Sequence, residues 1–154
     1  MDLGLTGKVA LVTAASRGIG FGIAQALAAE GARVAIVART EADVKKAAES
    51  IAGFGVAADL LTDEGCRKAV AETERAVGPI EILVNNLGTR AGSSWQDTGP
   101  DEFQSAFAGN AGVCVRMSKL VLPGMRERGW GRIVVIASIW GREAGGPPAY
   151  NAAK

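Results

Sequence analysis

Five short runs of β-branched and other apolar residues recur along the chain, separated by longer mixed segments: VALVT (Val9 to Thr13), VAIVA (Val34 to Ala38), GVAA (Gly55 to Ala58), ILVNN (Ile82 to Asn86) and IVVIA (Ile133 to Ala137). Their apolarity is continuous rather than alternating, as in strands whose two faces are both covered by helices, so they predict five buried strands of a parallel sheet. The intervening segments predict helices over Ile19 to Glu30, Glu41 to Ile51 and Glu64 to Val77, and a long one from about Pro100 to Arg128. Pro100 suits a first helical turn, and Asp101 and Glu102 complement the positive end of that helix. Beyond Asn110 the segment reads AGVCVRMSKLVLP, apolar on most faces, which predicts a helix either deeply buried or shared with another subunit, a partly shared helix being the preferred reading. Strands and helices in alternation predict an α/β fold, a doubly wound parallel sheet. The 154 residues, 48% of them apolar, can bury the core of one domain spanning residues 1–154.

Composition narrows the function. A formal net charge of +1 with scattered basic residues leaves no footprint for nucleic acid or an anionic membrane. The chain has no histidine, and Cys66 and Cys114 stand far apart, so neither a metal site nor a disulfide framework is expected and a reducing, cytoplasmic setting fits best. No basic stretch followed by an apolar run opens the chain, and no apolar run approaches bilayer-spanning length, so the expectation is a soluble protein.

The chemistry begins directly after the first strand, where TAASRGIG (Thr13 to Gly20) leads into a helix. Gly18 lets a backbone approach a pyrophosphate, Gly20 lets the helix pack close to the strand, and the helix N-terminus offers unpaired N–H donors. A plain strand-to-helix turn is the competing reading, but a glycine pattern between a strand and a helix is in the context that favours a dinucleotide. The second strand ends in Ala38 and Arg39, where an NAD site usually carries an acid. Arg39, with Arg17, can bind a 2′-phosphate by charge-assisted hydrogen bonds, so NADP(H) is the expected cofactor unless both arginines are merely solvated.

At the other end, AYNAAK places Tyr150, the only tyrosine, four residues before Lys154, on one helical face. An ammonium there favours the phenolate, so Tyr150 is a candidate for giving a proton to a carbonyl oxygen or taking one from an alcohol. Ser138 follows the last strand, where its hydroxyl can polarise the same oxygen or merely cap the strand end. REAGGPP (Arg142 to Pro148) is a candidate site-lining loop, and Trp95 and Trp140 read as loop anchors sooner than pocket walls.

With TAASRGIG, Asp59, NNLG (Asn85 to Gly88), Asn110, Ser138 and YNAAK in this order, the chain resembles the short-chain dehydrogenase/reductase family from about Leu5 to Lys154, and most of all its 3-oxoacyl-[acyl-carrier-protein] reductase-like members. The resemblance implies a Rossmann fold and a catalytic tetrad of Asn110, Ser138, Tyr150 and Lys154. It implies cofactor contacts at Thr13, Ser16, Arg17, Gly18, Ile19, Gly20, Arg39, Asp59, Asn86, Gly88, Tyr150 and Lys154. Asp59 would bond the adenine amino group, the NNLG turn would support the adenosine ribose, and Lys154 would hold the nicotinamide ribose. Asn110 would interrupt its helix to seat a water linking Lys154 to solvent. Two positions depart from the family pattern. Ala14 replaces a glycine, which fits while its φ stays negative, and Leu87 replaces an alanine.

The family also implies a small carbonyl substrate or acyl thioester, a homotetramer, and a C-terminal part of the fold lying beyond Lys154. A polypeptide ending there is expected to be inactive and aggregation-prone, because an uncovered sheet exposes an edge. A non-catalytic nucleotide-binding regulator of the same fold is the alternative, although it would be expected to lose the tyrosine and lysine first. A sugar-nucleotide epimerase fits less well, since by resemblance it would carry GxxGxxG.

Overall fold

The computed structural model of the chain describes residues 2–154. Five strands, β1 (Val9–Thr13), β2 (Arg33–Ala38), β3 (Phe54–Ala57), β4 (Ile82–Asn85) and β5 (Arg132–Val135), form one parallel sheet in the order β3-β2-β1-β4-β5. The helices α1 (Gly18–Ala29), α2 (Glu41–Glu49) and α3 (Asp63–Ala76) link the first four strands. The chain winds outward from β1 to β3, then α3 carries it back to β4 on the other side of β1. That reversal opens a crevice at the carboxyl ends of β1 and β4, the usual ligand position in a sheet of this kind.

The strand period of two sorts the core into layers. Val9, Leu11, Ala35, Val37 and Leu83 pack on one face against Val70 of α3 and Met117 and Val121 of α5 (Val113–Glu127). Ala10, Val12, Val34, Ile36 and Val84 pack on the other against Ala24 of α1 and Val44 and Ala48 of α2. Each large aliphatic side chain fully buried this way contributes about 1.5–3 kcal/mol, which is why the central strands are apolar on both faces. Cys66 and Cys114 are both free thiols, and burial pushes each up from the ordinary thiol range.

The structure departs from the sequence reading in three places. The expected helix from Pro100 to Arg128 is α4 (Pro100–Phe107), a π-helical turn (Ala108–Gly112) and α5. Asn110 lies in that turn and its side-chain amide donates to the Ala106 carbonyl at 2.7 Å, competing for a backbone acceptor of the helix. The start of α4 is as expected, with Pro100 in its first turn and the Glu102 carboxylate accepting from the Gly99 N–H at 2.8 Å.

The second departure is β5, which is not buried: Ile133, Val134 and Val135 are 37%, 45% and 54% exposed. It is an edge strand paired only with β4, and its apolar run records a strand suited to cover that nothing in the described residues supplies. The third is Ala14, whose φ is +52° rather than negative. This left-handed conformation is one that a Cβ disfavours by about 1–2 kcal/mol. Beside it Gly20 of α1 packs so close that an added Cβ would overlap Asn86 Nδ2 and stand 2.8 Å from the Ala14 carbonyl oxygen.

At the amino end of the sheet, Glu81 joins the strands. Its carboxylate accepts from Lys8 Nζ at 2.8 Å and from the Val9 N–H at 3.1 Å, and its carbonyl accepts from the Arg132 N–H at 2.9 Å. Burial alone would raise the Glu81 carboxyl, but the Lys8 and Val9 bonds, with the Lys8 and Arg128 charges, outweigh it and hold the group below the usual range. A carboxyl lowered in the folded state contributes stability above its unfolded value, and that stability is lost as pH falls through the folded value. Denaturant titrations from neutral pH to below the ordinary glutamate range, about 4.3, are therefore expected to show a flatter acid limb for Glu81→Gln than for the parent. Two substitutions in the first turn should move thermal stability in opposite directions. Gly20→Ala is expected to cost about 1–3 kcal/mol through overpacking, whereas Ala14→Gly should gain up to about 1 kcal/mol by relieving the backbone.

Candidate active site

The crevice between β1 and β4 continues into a groove of about 230 Å³ along the carboxyl ends of β1, β2 and β3. Ser16, Arg17, Arg39, Asp59 and Gly88 line it, as do Ala14 and Leu87, the two positions that depart from the family pattern. Arg17 precedes α1 in extended backbone, and its side chain makes no cap bond, so the first N–H groups of a twelve-residue helix stay free for an anion. Gly18 has φ +63° and open space where a side chain would be, as a close backbone approach to a phosphate requires. The exposed Ile19 side chain flanks this turn at the surface.

Thr13 and Asn86 do not line the groove but hold its walls together. The buried Thr13 hydroxyl donates to the Val84 carbonyl at 3.3 Å and accepts from the Asn86 and Leu87 N–H groups at 2.8 and 3.0 Å. With one donor and two acceptor positions used, it has nothing left for a ligand. The Asn86 amide spends its N–H groups on the Thr13 and Ala14 carbonyls at 3.0 and 3.1 Å. Asp59 is exposed at the rim, one carboxylate oxygen accepting from the Leu61 N–H at 3.0 Å. Thr40, Asp43 and Thr89 line the groove as well, unforeseen in the sequence although each lies within four residues of Arg39 or Gly88.

Gly88 connects this groove to the other group of candidates. A Cβ added there would stand 3.0 Å from both Asn110 Oδ1 and Lys154 Nζ. Asn110 is buried, its amide donating to the carbonyls of Thr89 at 2.8 Å and Ala106 at 2.7 Å, which leaves its Oδ1 buried without a partner. Lys154 Nζ donates to the Ile136 carbonyl at 3.0 Å, just beyond β5, and lies 5.8 Å from the centroid of the Tyr150 ring. Tyr150 belongs to the short helix α6 (Pro148–Ala153). Its side chain is half-buried.

Ser138 follows β5 and caps a single 3₁₀ turn, Ile139–Gly141, its Oγ accepting from the Trp140 N–H at 3.3 Å. The hydroxyl proton remains for another acceptor. Gly141 abuts the Lys154 backbone so closely that any Cβ would collide with it, which seats this turn against α6. The Arg142 to Pro148 loop is tied to α6 by Asn151, which donates to the Glu143 carbonyl at 2.8 Å. Trp140 packs over Gly145 and Gly146 in that loop, while Trp95 is 74% exposed with its ring 6.2 Å from Phe103. The Trp95 loop turns on Asp97, whose carboxyl is held well below its usual range by the Ser93 hydroxyl and the Ser93 and Ser94 N–H groups. Sequence reading passed over Arg90, whose guanidinium lies 5.4 Å from the Tyr150 ring centroid; its signal was its place two residues after the NNLG turn.

Comparison with known proteins identifies the family. The family model described as short chain dehydrogenase matches residues 8–154. The chain is 37% identical over 144 residues to the ketoacyl reductase HetN of a Nostoc species, which covers 90% of the chain and 50% of the relative. It is 37% identical over 151 residues to the 3-oxoacyl-[acyl-carrier-protein] reductase FabG of Escherichia coli, covering 96% and 62%. The crystal structure of L-sorbose reductase from Gluconobacter frateurii, complexed with NADPH and L-sorbose, superposes with a TM-score of 0.93 at 35% identity over 99% of the chain and 61% of its own. The chain thus spans one half to about three fifths of the length of these relatives. Its parallel sheet, its glycine turn and the extent of the family match show that the chain belongs to the short-chain dehydrogenase family.

Proposed function

We propose that the protein carrying this sequence is an NADP(H)-dependent oxidoreductase that reduces a ketone or a 3-oxoacyl thioester to a hydroxy compound, with Asn110, Ser138, Tyr150 and Lys154 as its catalytic tetrad. The observation that carries this reading is the meeting at Gly88: the residue lines the nucleotide groove, and a Cβ there would touch both Lys154 Nζ and Asn110 Oδ1. This reading makes Gly88 the point where the nucleotide groove adjoins Asn110 and Lys154.

The residues fit NADP(H) on three grounds: the free N-terminus of α1, the open side of Gly18, and the two cations Arg17 and Arg39 in one groove. Arg17, Gly18, Ile19 and Gly20 would hold the pyrophosphate, Arg39 the 2′-phosphate, and Asp59 the adenine. Bound there, the nicotinamide supplies the hydride. Tyr150 would donate its phenolic proton to the substrate carbonyl oxygen, and Ser138 would use its free hydroxyl proton to stabilise the charge on that oxygen. Lys154 would favour the phenolate left behind through its positive charge and return a proton from the Asn110 side.

The exposed Phe107, Val115 and Leu122 along α4 and α5 support a homo-oligomer, in the family's case a tetramer. No helix among the described residues is long and apolar enough to cross a membrane.

In the intact protein, Tyr150→Phe is expected to lower kcat about 10²–10⁴-fold while NADPH binding, followed by fluorescence titration, stays within a few-fold of the parent. Binding of NADPH without turnover of any carbonyl by the parent itself would replace the enzyme with a nucleotide-binding regulator. Arg39→Ala should raise the KM for NADPH about tenfold or more and leave that for NADH nearly unchanged, because only the former presents a phosphate to the guanidinium. Equal effects on both would remove Arg39 from the cofactor reading.

A further inference from the structure

Two cations flank the ring of Tyr150, and they are not equivalent. Lys154 Nζ, 5.8 Å from the ring centroid, is turned into the fold, bonded to the Ile136 carbonyl and close to where Asn110 Oδ1 meets Gly88. Arg90 belongs to the loop between β4 and α4, and its guanidinium carbon is 5.4 Å from the same centroid. It is exposed, and among the described residues no carboxylate pairs with it. The attraction between its charge and the ring face is modest and leaves the N–H donors of the guanidinium fork without an acceptor. Arg90 therefore presents one positive charge without an ion-pair partner among the described residues, in a planar two-pronged geometry, beside the ring of the group read as the proton donor.

We propose that Arg90 is a specificity-determining residue, and that the site prefers a short oxo acid, a carbonyl compound with a free carboxylate a few bonds from the reacting carbon. This rests on the reading of Tyr150 as the acid/base. A carbonyl oxygen at the Tyr150 hydroxyl places such a carboxylate within reach of Arg90, and two parallel N–H···O bonds would hold it. One guanidinium matches one negative charge. An acyl thioester carries its charges on its carrier, a long flexible arm away from the carbonyl, and leaves Arg90 unanswered. The arginine also discriminates by its alternative: without the carboxylate, its fork and charge gain nothing from the substrate.

The test uses the intact protein with NADPH and pairs of substrates that differ only in charge: acetoacetate and levulinate against their methyl esters. The parent is expected to favour at least one free acid over its ester in kcat/KM. In Arg90→Gln that acid-to-ester ratio should fall about thirtyfold, mostly through the KM of the acid, and Arg90→Lys should restore part of it by charge without the fork. Because each acid and ester share the reacting carbonyl, a general disturbance of the site cancels in the ratio. A parent that prefers the esters, or a ratio unchanged by Arg90→Gln, overturns the proposal and leaves Arg90 as a solvated ring contact. Calorimetric binding of the two acids, measured beside turnover, separates the failures. Absence of turnover on every carbonyl defeats the reductase reading alone, while equal binding of the acids by parent and Arg90→Gln defeats the role of the arginine.

Discussion

Everything in the candidate site depends on how β1 is fastened to the residues that follow β4. The Thr13 hydroxyl uses its one donor and both acceptor positions to bind Val84, Asn86 and Leu87, and the Asn86 amide returns two bonds to Thr13 and Ala14. These bonds lie at the point where the winding of the sheet reverses, which opens a crevice and deprives backbone groups of strand partners. Buried polar groups left unpaired there would each cost about 1–3 kcal/mol, so a saturated hydroxyl and a two-way amide are what allow the crevice to exist. The same packing leaves no room for a side chain at Gly20, and the turn it borders contains Ala14 in a left-handed conformation.

From this fastening two paths diverge, and Gly88 stands where they meet again. One runs along the glycine turn into the groove of Arg17 and Arg39; the other passes through Asn110 and Lys154 to Tyr150. Asn110 illustrates the arrangement. From the π-helical turn its amide draws off the carbonyl of Ala106 in α4 and binds that of Thr89, so one side chain both interrupts a helix and ties down the loop that carries Gly88 and Arg90. The irregular helix is thus part of the site's construction, as π-helical turns often are.

The sheet is unevenly protected. Around β1 and β4 the two faces are closed by α1 and α2 on one side and α3 and α5 on the other. At β5 both faces and one edge are open, and it is this strand that leads to Ser138 and supplies, at Ile136, the carbonyl that holds Lys154.

What was legible in the sequence was whatever depends on local periodicity and backbone chemistry. Continuous apolar runs marked the strands within a residue or two, and the glycine turn and the Tyr150 to Lys154 spacing marked the two ends of the candidate site, because the chemistry proposed for them needs those residue types at short range. The φ of Ala14, the saturation of Thr13 and the position of Arg90 beside Tyr150 were not legible, and the apolar run of β5 did not by itself reveal its exposure. Each is decided by what arrives from elsewhere in the chain: whether a neighbour covers a strand, how close α1 stands to the Asn86 turn, and which loop reaches across to α6. Hydrophobic pattern and turn chemistry are properties of a few consecutive residues, whereas contact across sixty positions exists only once the sheet has brought its strand ends together.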